Sequence, residues 1–414
     1  MKVLEFGGYL GLGGTEKAMC IWSQGLKNLG HEVSVLAMKA GPRAAELARL
    51  GIPVVVCEWS ADKIYDAVKN LKPDIIHLHS SGDPTEIDLL GEAASKLGKV
   101  PVVQTNVFGR LENPREDSWT TFRLFISWTS CVQAARRSFR KLDENFFRRA
   151  SVAVYPLDPI EPCSLAETAS FRRQLGVMDD EVLFGRFSRP EPNKWTSLAL
   201  DAFRAARRQN KKIKLLLREP PPVVAEQLRL SPEAGHFIIL PVTADAEELR
   251  RTMSALDVVL HTSSIGESFG YGIAEPMNLG KPVVTHSVPW GDQAQIELVR
   301  DGECGFVAST VNAMANKILT LANDPALRAE IGSRAQKHIR RLADPKTSVN
   351  RLEAVLRAVV GSQDNPFAVE DLQTARAAAE YLDEQQFGRS WLEQLALRPF
   401  YYRVRFHEFR KSFR

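Results

Sequence analysis

Two glutamates flank a glycine-rich loop whose composition suits a polar, phosphorylated ligand. Glu267 lies in the loop and Glu275 lies eight residues further on, within Gly266-Glu-Ser-Phe-Gly-Tyr-Gly-Ile-Ala-Glu275. Because a carboxylate only accepts hydrogen bonds, the pair suits hydroxyl-rich groups such as a ribose or a sugar ring. The loop leads into a helix, whose first N–H groups and positive dipole end favour a phosphate.

A strand before the loop and a helix after it position these groups. The apolar run Asp257–His261 predicts a buried strand. The helix is expected to end at Gly280, because glycine favours a helix C-terminus and Pro282 prevents its continuation. In open parallel sheets, ligands bind where strand ends meet helix starts.

The beginning of the chain repeats the order of strand, glycine-rich loop and helix. Lys2–Phe6 predicts a strand, residues 7–14 are rich in glycine, and an amphipathic helix follows. Thr15 is its predicted N-cap and Gly30 its predicted end. The glycine spacing differs from the dinucleotide-binding Gly-x-Gly-x-x-Gly pattern.

Short apolar runs alternate with helical segments along both halves of the chain. These runs are 33–37, 54–57, 75–79, 100–104, 125–129 and 152–155, then 181–187, 213–217, 237–240, 258–261, 282–285 and 305–307. They predict two parallel sheets covered on both faces. The proline-rich segment 156–162 is the predicted hinge. We therefore expect domains at 1–160 and 161–345, followed by C-terminal helices and a tail at 346–414.

Several segments together resemble the retaining glycosyltransferases of family four (glycosyl transferases group 1). Glu267-Ser-Phe-Gly270, Glu275-Pro276 and Gly280-Lys-Pro-Val-Val284 are similar to the E-x7-E element of that family, and Gly13-Gly-Thr-Glu16 is similar to its opening loop. The resemblance covers roughly residues 1–360 and is strongest from about 180 to 310. It implies an α/β GT-B fold, in which two Rossmann-like domains with parallel sheets face each other across a cleft and the last helices cross back.

The resemblance also implies roles for individual residues. In the family, the second glutamate (here Glu275) holds the nucleotide ribose and the first (Glu267) faces the donor sugar. The family's Gly-Arg and Lys, which neutralise the donor diphosphate, correspond to Arg186 and Lys194. Because the loop between them is longer than usual, Arg189 is an alternative to Arg186. The other implied donor-binding residues are Gly13, Gly14, Val242, Phe269, Gly270, Tyr271 and Gly272.

One position departs from the family pattern. Many relatives place a histidine near the transferred sugar, directly after the strand at 100–104, where this chain has Asn106. An asparagine donates and accepts hydrogen bonds but carries no proton charge. We count Asn106 among the catalytic candidates, although this replacement puts a histidine-assisted step in doubt.

The implied reaction is transfer of a sugar from a UDP- or GDP-linked donor to a hydroxyl of a glycan, lipid-linked or small-molecule acceptor, with retention. The alternatives are another GT-B enzyme, such as a nucleotide-sugar epimerase or phosphorylase, or a non-catalytic nucleotide-sugar-binding partner protein. The family usually needs no metal, so the resemblance implies that no cofactor and no metal are required. In agreement, the sequence has no Asp-x-Asp motif to hold Mg²⁺ against a diphosphate.

Composition limits the classes of partner and the compartment. The 414 residues carry a net charge of +4, which is too mild to indicate nucleic-acid binding. Five scattered cysteines favour a reducing compartment, and no apolar run is long enough to span a bilayer. We expect a cytoplasmic protein. The tail 397–414 interleaves aromatic and basic residues, so it either binds an anionic surface at the inner face of the membrane or packs on the protein.

Two further features leave alternatives open. His77 and His79 end a predicted strand on one face, where they could bind a metal or a phosphate. No acidic or cysteine partner is evident, so a structural or substrate-lining role is expected. Six basic residues form either a solvated helix face or a surface for an anionic acceptor or lipid headgroups: Arg136, Arg137, Arg140, Lys141, Arg148 and Arg149.

Overall fold

The structure, a computed structural model, describes residues 1–80, 84–98, 100–109, 111, 118–289 and 291–387. The chain divides into two compact units. Unit 1 comprises Met1–Pro156 together with Ala343–Arg414, and unit 2 comprises Leu157–Leu342. The aromatic and basic tail at 397–414 lies outside the described residues.

Unit 1 contains a seven-stranded parallel sheet in the order β3-β2-β1-β4-β5-β6-β7. Its strands are β1 Lys2–Tyr9, β2 Glu32–Lys39, β3 Val54–Val56, β4 Ile75–Ser80, β5 Val102–Asn106, β6 Phe122–Phe125 and β7 Ala150–Val152. Its helices are α1 Gly14–Asn28, α2 Pro42–Arg49, α3 Ala61–Leu71, α4 Pro84–Leu97, α5 Trp128–Arg137 and α6 Glu144–Phe147, and, after unit 2, α15 Pro345–Val360 and α16 Ala368–Phe387.

Unit 2 contains a six-stranded parallel sheet in the order β10-β9-β8-β11-β13-β15, with the short pair β12-β14 beside it. Its strands are β8 Val182–Phe187, β9 Ile213–Arg218, β10 Phe237–Leu240, β11 Val258–Leu260, β12 Gly266–Glu267, β13 Val283–Thr285, β14 Asp292–Gln293 and β15 Gly305–Val307. Its helices are α7 Leu165–Gln174, α8 Ser197–Gln209, α9 Pro222–Arg229, α10 Ala246–Ala255, α11 Tyr271–Asn278, α12 Ala294–Val299, α13 Val311–Asn323 and α14 Pro325–Leu342.

Each unit has its own apolar core on its sheet. Leu4, Leu36 and Ile76 are buried in unit 1, and Phe184 and Leu215 are buried in unit 2. Near-continuous apolar strands are typical of parallel sheets covered on both faces. The predicted α/β fold with two parallel, Rossmann-like units is therefore confirmed. Within the described part of the chain, no helix combines the length and apolar character needed to cross a membrane.

The local predictions fail mainly at element boundaries. The strand predicted at 125–129 is wrong, because β6 ends at Phe125 and α5 begins at Trp128. The Ser127 hydroxyl accepts a hydrogen bond from the amide N–H of Ser130 (3.2 Å) and so starts a helix inside that apolar run. Similarly, α1 has Gly13 rather than Thr15 at its N-cap position.

Candidate active site

The Glu267 loop of unit 2 depends on two glycines with positive φ. Gly266 has φ +71°, and a Cβ atom there would lie 1.7 Å from the carbonyl oxygen of Asp292, so only glycine lets β12 pair with β14. Gly270, with φ +100°, precedes the first turn of α11. These two turns hold Glu267 beside the N-terminus of that helix.

Glu267 is the centre of a charged network. Its Oε2 lies 2.9 Å from Lys194 Nζ, and its Oε1 lies 3.0 Å from His261 Nε2. Its amide N–H donates to Oε1 of Gln295 (2.9 Å), which fixes the backbone. Burial acts to raise the pKa of Glu267, but His261 and Lys194 together outweigh burial and lower the pKa to about 2. The carboxylate is therefore ionised at neutral pH.

His261, the residue after β11, fixes the orientation of that carboxylate. Burial lowers the pKa of His261, so the imidazole is neutral at pH 7. Because an ionised Glu267 only accepts hydrogen bonds, the ring proton must be on Nε2. Its Nδ1 then faces the Thr285 hydroxyl at 3.4 Å. His261 and Gln295 were not predicted as site residues from the sequence, although the position of His261, a polar residue after a buried strand and shortly before the loop, could have indicated it.

Arg186 of β8 is buried and supports the backbone of Lys194. Its guanidinium is buried and donates to the hydroxyl (3.0 Å) and the carbonyl oxygen (2.6 Å) of Thr262 and to the carbonyl oxygen of Lys194 (2.7 Å). It also stacks on Trp195, 4.3 Å from the ring centroid. Burial lowers the pKa of Arg186 to about 9, against the attraction of Glu267, so this side chain stays cationic at neutral pH.

The third candidate cation is outside this network. Arg189 is exposed, and its Nη1 lies 3.2 Å from Oε1 of Glu191. Of the three cations expected to face a diphosphate, Lys194 is thus the one that the structure brings to Glu267. Arg186 positions the backbone of Lys194, and Arg189 pairs with a neighbouring carboxylate on the surface.

The remaining predicted residues of unit 2 lie around the same sheet edge. Glu275 is half-buried in α11, and Phe269 is buried with its ring 4.9 Å from that of Tyr271. Gly272 lies in the first turn of α11. Val242 follows β10 and is exposed. Because β10 and β11 are parallel strands of one sheet, the loops after them share its carboxyl edge.

The remaining predicted residues belong to unit 1. Gly13 and Gly14 start α1, directly after the loop that follows β1. Asn106 is buried at the end of β5, opposite Ser80 of β4. All three positions lie at the carboxyl edge of the unit 1 sheet, which is the edge where α/β proteins bind ligands.

The expectation that the two histidines lack an acidic partner is wrong. Glu5 of β1 is the partner: its Oε2 lies 2.8 Å from His79 Nε2 and 2.9 Å from His77 Nδ1, and all three side chains are buried. Glu5 lies next to the histidines because it pairs with His77 in the register of β1 and β4. One ligand atom from each residue lies within 4.8 Å of the others, so the group has the spacing of a metal site, and the contact between His79 Nε2 and Glu5 Oε2 is a hydrogen bond.

Trp22 of α1 covers this buried group and joins it to the end of the chain. Its indole ring lies 5.5 Å and 5.7 Å from the two histidine rings and 5.3 Å from the ring of Tyr155. Its Nε1 donates to the Ser348 hydroxyl of α15 (2.9 Å), which donates to the carbonyl oxygen of Val154 (2.6 Å). The helix α15 is therefore an integral part of unit 1.

Comparison with known proteins connects both units to one class of enzyme. Residues 13–161 match the glycosyl transferase 4-like domain, and residues 181–324 match the family described as glycosyl transferases group 1. A trehalose synthase of Pyrococcus horikoshii is 36% identical over 96 residues, which are 23% of this chain and 22% of that protein. A Xenopus laevis GDP-Man:Man(3)GlcNAc(2)-PP-Dol alpha-1,2-mannosyltransferase is 30% identical over 186 residues, 41% of this chain and 37% of that protein. The matches thus span less than two fifths of these relatives.

Solved structures share the fold at low sequence identity. Anabaena Alr3699/HepE in complex with UDP-glucose has a TM-score of 0.71 and 21% identity, covering 86% of this chain and 100% of that one. A glycosyltransferase of Rickettsia africae has a TM-score of 0.73 and 15% identity, covering 87% and 98%. The two family matches together span most of both units, and the chain belongs to the group 1 glycosyl transferases with the GT-B fold.

Proposed function

We propose that the protein transfers a sugar from a UDP- or GDP-linked donor to a hydroxyl of a glycan, lipid-linked or small-molecule acceptor, with retention of configuration. The observation that carries this proposal is the pairing of Glu267 with Lys194 beside the N-terminus of α11. A cation and a helix N-terminus suit a diphosphate, and carboxylates suit sugar hydroxyls.

The names and ligands of relatives support a nucleotide diphosphate donor. The Xenopus relative is named for GDP-mannose, and the Anabaena protein was solved with UDP and with UDP-glucose. We propose the same class of donor for this chain, because its Lys194 and α11 present the charge that a diphosphate needs.

In the proposed reaction, the bond between the sugar and the diphosphate breaks and the diphosphate takes the electron pair. The oxygen of the acceptor hydroxyl forms the new bond to the same sugar carbon, and the hydroxyl proton passes to the leaving diphosphate. Lys194 and the first turn of α11 stabilise the negative charge that develops there. Binding of the diphosphate replaces Glu267 as the counter-ion of Lys194, and His261 keeps the carboxylate aligned towards the sugar. We propose that this step needs no metal, so transfer should persist in EDTA, and loss of transfer in EDTA would contradict that proposal.

Replacing Lys194 tests the diphosphate contact. We expect Lys194→Ala to weaken binding of the nucleotide diphosphate by about 10- to 150-fold, because one charge-assisted hydrogen bond contributes about 1.5–3 kcal/mol. Binding of the matching nucleoside should hardly change. Thermal-shift screening of UDP, GDP and ADP identifies the base, and titration calorimetry measures both affinities.

The matched control is Arg189→Ala, which removes a nearby cation that pairs with Glu191 instead. We expect this variant to change diphosphate affinity less than about threefold, as is usual for an exposed ion pair. Equal losses for nucleoside and diphosphate in Lys194→Ala, or a larger loss in Arg189→Ala, would contradict the assignment of Lys194.

We also propose that the tail at 397–414 contacts an anionic membrane surface, because aromatic and basic residues both favour that interface. Deletion of residues 400–414 should lower binding to anionic vesicles and leave the melting temperature unchanged. A lower melting temperature with unchanged vesicle binding would instead identify the tail as a packing element.

A further inference from the structure

A buried arginine at the end of β9 holds the loop that follows β10. Arg218 is the last residue of β9, and its side chain is buried. Its Nη1 donates to the carbonyl oxygen of Pro241 (3.0 Å), the residue directly after β10. Its Nη2 donates to two side chains of α10, the Thr252 hydroxyl (2.7 Å) and Oε1 of Glu248 (3.0 Å). The planar guanidinium therefore fixes the position of this loop relative to β9 and α10.

Glu248 extends the contact to a second point of the same loop. The Thr243 hydroxyl donates to the Glu248 carboxylate, and this hydrogen bond lowers the pKa of Glu248. Burial opposes that shift and Arg218 adds to it, so the carboxylate is ionised at neutral pH. The Thr243 hydroxyl oxygen also accepts a hydrogen bond from the amide N–H of Asp245 (3.1 Å), the N-cap residue of α10. Pro241 and Thr243 are thus both tied to the pair of Arg218 and Glu248.

The backbone after β9 holds the loop where it leaves β10. The amide N–H of Glu219 donates to the carbonyl oxygen of Leu240 (3.0 Å), the last residue of β10. Glu219 has φ +55°, a left-handed conformation that residues other than glycine rarely adopt. Such a conformation persists only where the surrounding contacts impose it, and residues that adopt it cluster at ligand sites. The start of the loop is therefore fixed before any ligand binds.

Between these fixed points, the loop presents a combination of groups that suits a nucleobase. Val242 is 65% exposed. Within the part of the chain that the structure describes, its amide N–H and its carbonyl oxygen have no hydrogen-bond partner. An apolar side chain thus lies beside a free donor and a free acceptor. A nucleobase offers a flat ring face for the first and an edge of hydrogen-bonding groups for the other two.

The loop lies at the same sheet edge as the proposed diphosphate contact. The strands β10, β9 and β8 are parallel neighbours in the unit 2 sheet. Val242 follows the carboxyl end of β10, and Lys194 follows that of β8. Neighbouring strands lie about 4.8 Å apart, so these two strand ends are roughly 10 Å apart. A nucleotide whose diphosphate contacts Lys194 therefore has the length to bring its base to Val242.

We propose that Arg218 and Glu248 are positioning residues that hold the loop 241–245 in the form that distinguishes one nucleobase from another, a role that depends on the proposed nucleotide diphosphate donor. Groups that are fixed before binding lose less conformational entropy when a ligand binds. The wrong base leaves a donor or an acceptor of a fixed loop unpaired, which lowers its affinity. A mobile loop adapts to several bases, so loss of either contact should reduce discrimination between bases more than it reduces binding of the diphosphate.

The test compares two adjacent glutamates of α10, in the variants Glu248→Ala and Glu247→Ala. The second is the matched control, because Glu247 Oε1 accepts from Arg250 Nη2 (2.6 Å) and not from the residues that hold the loop. Titration calorimetry with UDP, GDP, ADP and inorganic pyrophosphate measures the base-dependent and the base-independent parts of binding. We expect Glu248→Ala to weaken binding of the preferred nucleotide by about tenfold, to reduce its preference over the other two, and to change pyrophosphate affinity by less than about twofold. Glu247→Ala should leave all four affinities within about twofold.

Arg218→Met removes both contacts and should give a larger loss of the same kind, and where this buried replacement prevents folding, Glu248→Ala decides. If Glu248→Ala and Glu247→Ala have equal nucleotide affinities, or if Glu248→Ala weakens nucleotides and pyrophosphate by the same factor, the positioning role is overturned while the proposed donor site stands. If the unchanged protein binds none of the three nucleotides more tightly than pyrophosphate, the proposed donor site is itself wrong, and the positioning role is overturned with it.

Discussion

Glu267→Ala should lower the rate of sugar transfer by about 100-fold or more while the affinity for the free nucleotide diphosphate stays nearly unchanged. Glu267 is held by His261 and Lys194, so its carboxylate has a defined direction before any donor arrives. We expect it to align the donor sugar, and misplacement of a reacting centre by about 1 Å can cost about 100-fold in rate. Loss of the negative charge leaves Lys194 available to the diphosphate, which keeps nucleotide affinity high.

Glu275→Ala is the matched comparison in the same element. Glu275 is proposed to accept hydrogen bonds from the ribose, a contact that exists with or without a sugar. Its removal should weaken nucleotide diphosphate binding by about 10- to 150-fold. Calorimetry gives the affinities, and turnover on the identified donor gives the rates. If Glu267→Ala loses affinity and Glu275→Ala does not, the two roles are reversed, and if neither variant changes anything, the donor site lies elsewhere.

Glu5→Gln should destabilise unit 1 by about 1.5–3 kcal/mol at pH 7, the usual cost of losing a hydrogen bond to a charged group, because the ionised carboxylate of Glu5 accepts from His79 Nε2. Burial acts to raise the pKa of Glu5, but His77 and His79 outweigh burial and lower the pKa to about 2. A change from the ordinary 4.5 to about 2 corresponds to about 3 kcal/mol, in agreement with that cost. Denaturant unfolding of the variant measures the difference.

The buried group of Glu5, His77 and His79 also predicts how the free energy of unfolding depends on pH. The folded pKa of Glu5 lies below the unfolded value, so its contribution is complete above about pH 4.5 and is lost as the pH falls towards 2. Burial and the neighbouring His77 also lower the pKa of His79, so protonation below about pH 6.5 favours the unfolded chain. In the Glu5→Gln variant, the loss of stability that Glu5 causes below about pH 4.5 should be absent. Glu58→Gln, at an exposed position, should change stability by less than about 0.5 kcal/mol, and equal curves for the two variants would contradict the prediction.

Patterns of neighbouring residues along the chain predicted the secondary-structure elements that depend mainly on those neighbours. The alternation of short apolar runs with helical segments indicated both sheets, and the glycines around Glu267 indicated the strand–loop–helix element. The bounds of strands and helices were predicted less accurately where two local preferences compete. At residues 125–129 the apolar composition favours a strand, but the hydroxyl of Ser127 caps a helix and prevails.

Contacts between distant residues explain what the sequence could not predict. Glu5 and His77 are neighbours only through the register of β1 and β4, which no spacing along the chain reveals. Likewise, the sequence indicates only that Arg186 is a cation near the end of a strand. In the structure Thr262 and Trp195 enclose its guanidinium, which donates to the carbonyl oxygen of Lys194. Burial of this kind depends on which elements become neighbours in the sheet, and not on the residue itself.

The hydrogen bond from Trp22 to Ser348 has a consequence for synthesis on the ribosome. Trp22 Nε1 finds its acceptor on a helix that is translated only after the whole of unit 2, residues 157–342. At about 5–20 residues per second, unit 1 must wait roughly 10–40 s for that helix. Unit 2 is continuous in sequence and can complete its core during this interval. We therefore expect unit 2 to fold first on the nascent chain. Unit 1 should become protease-resistant only after its C-terminal helices have emerged from the ribosome.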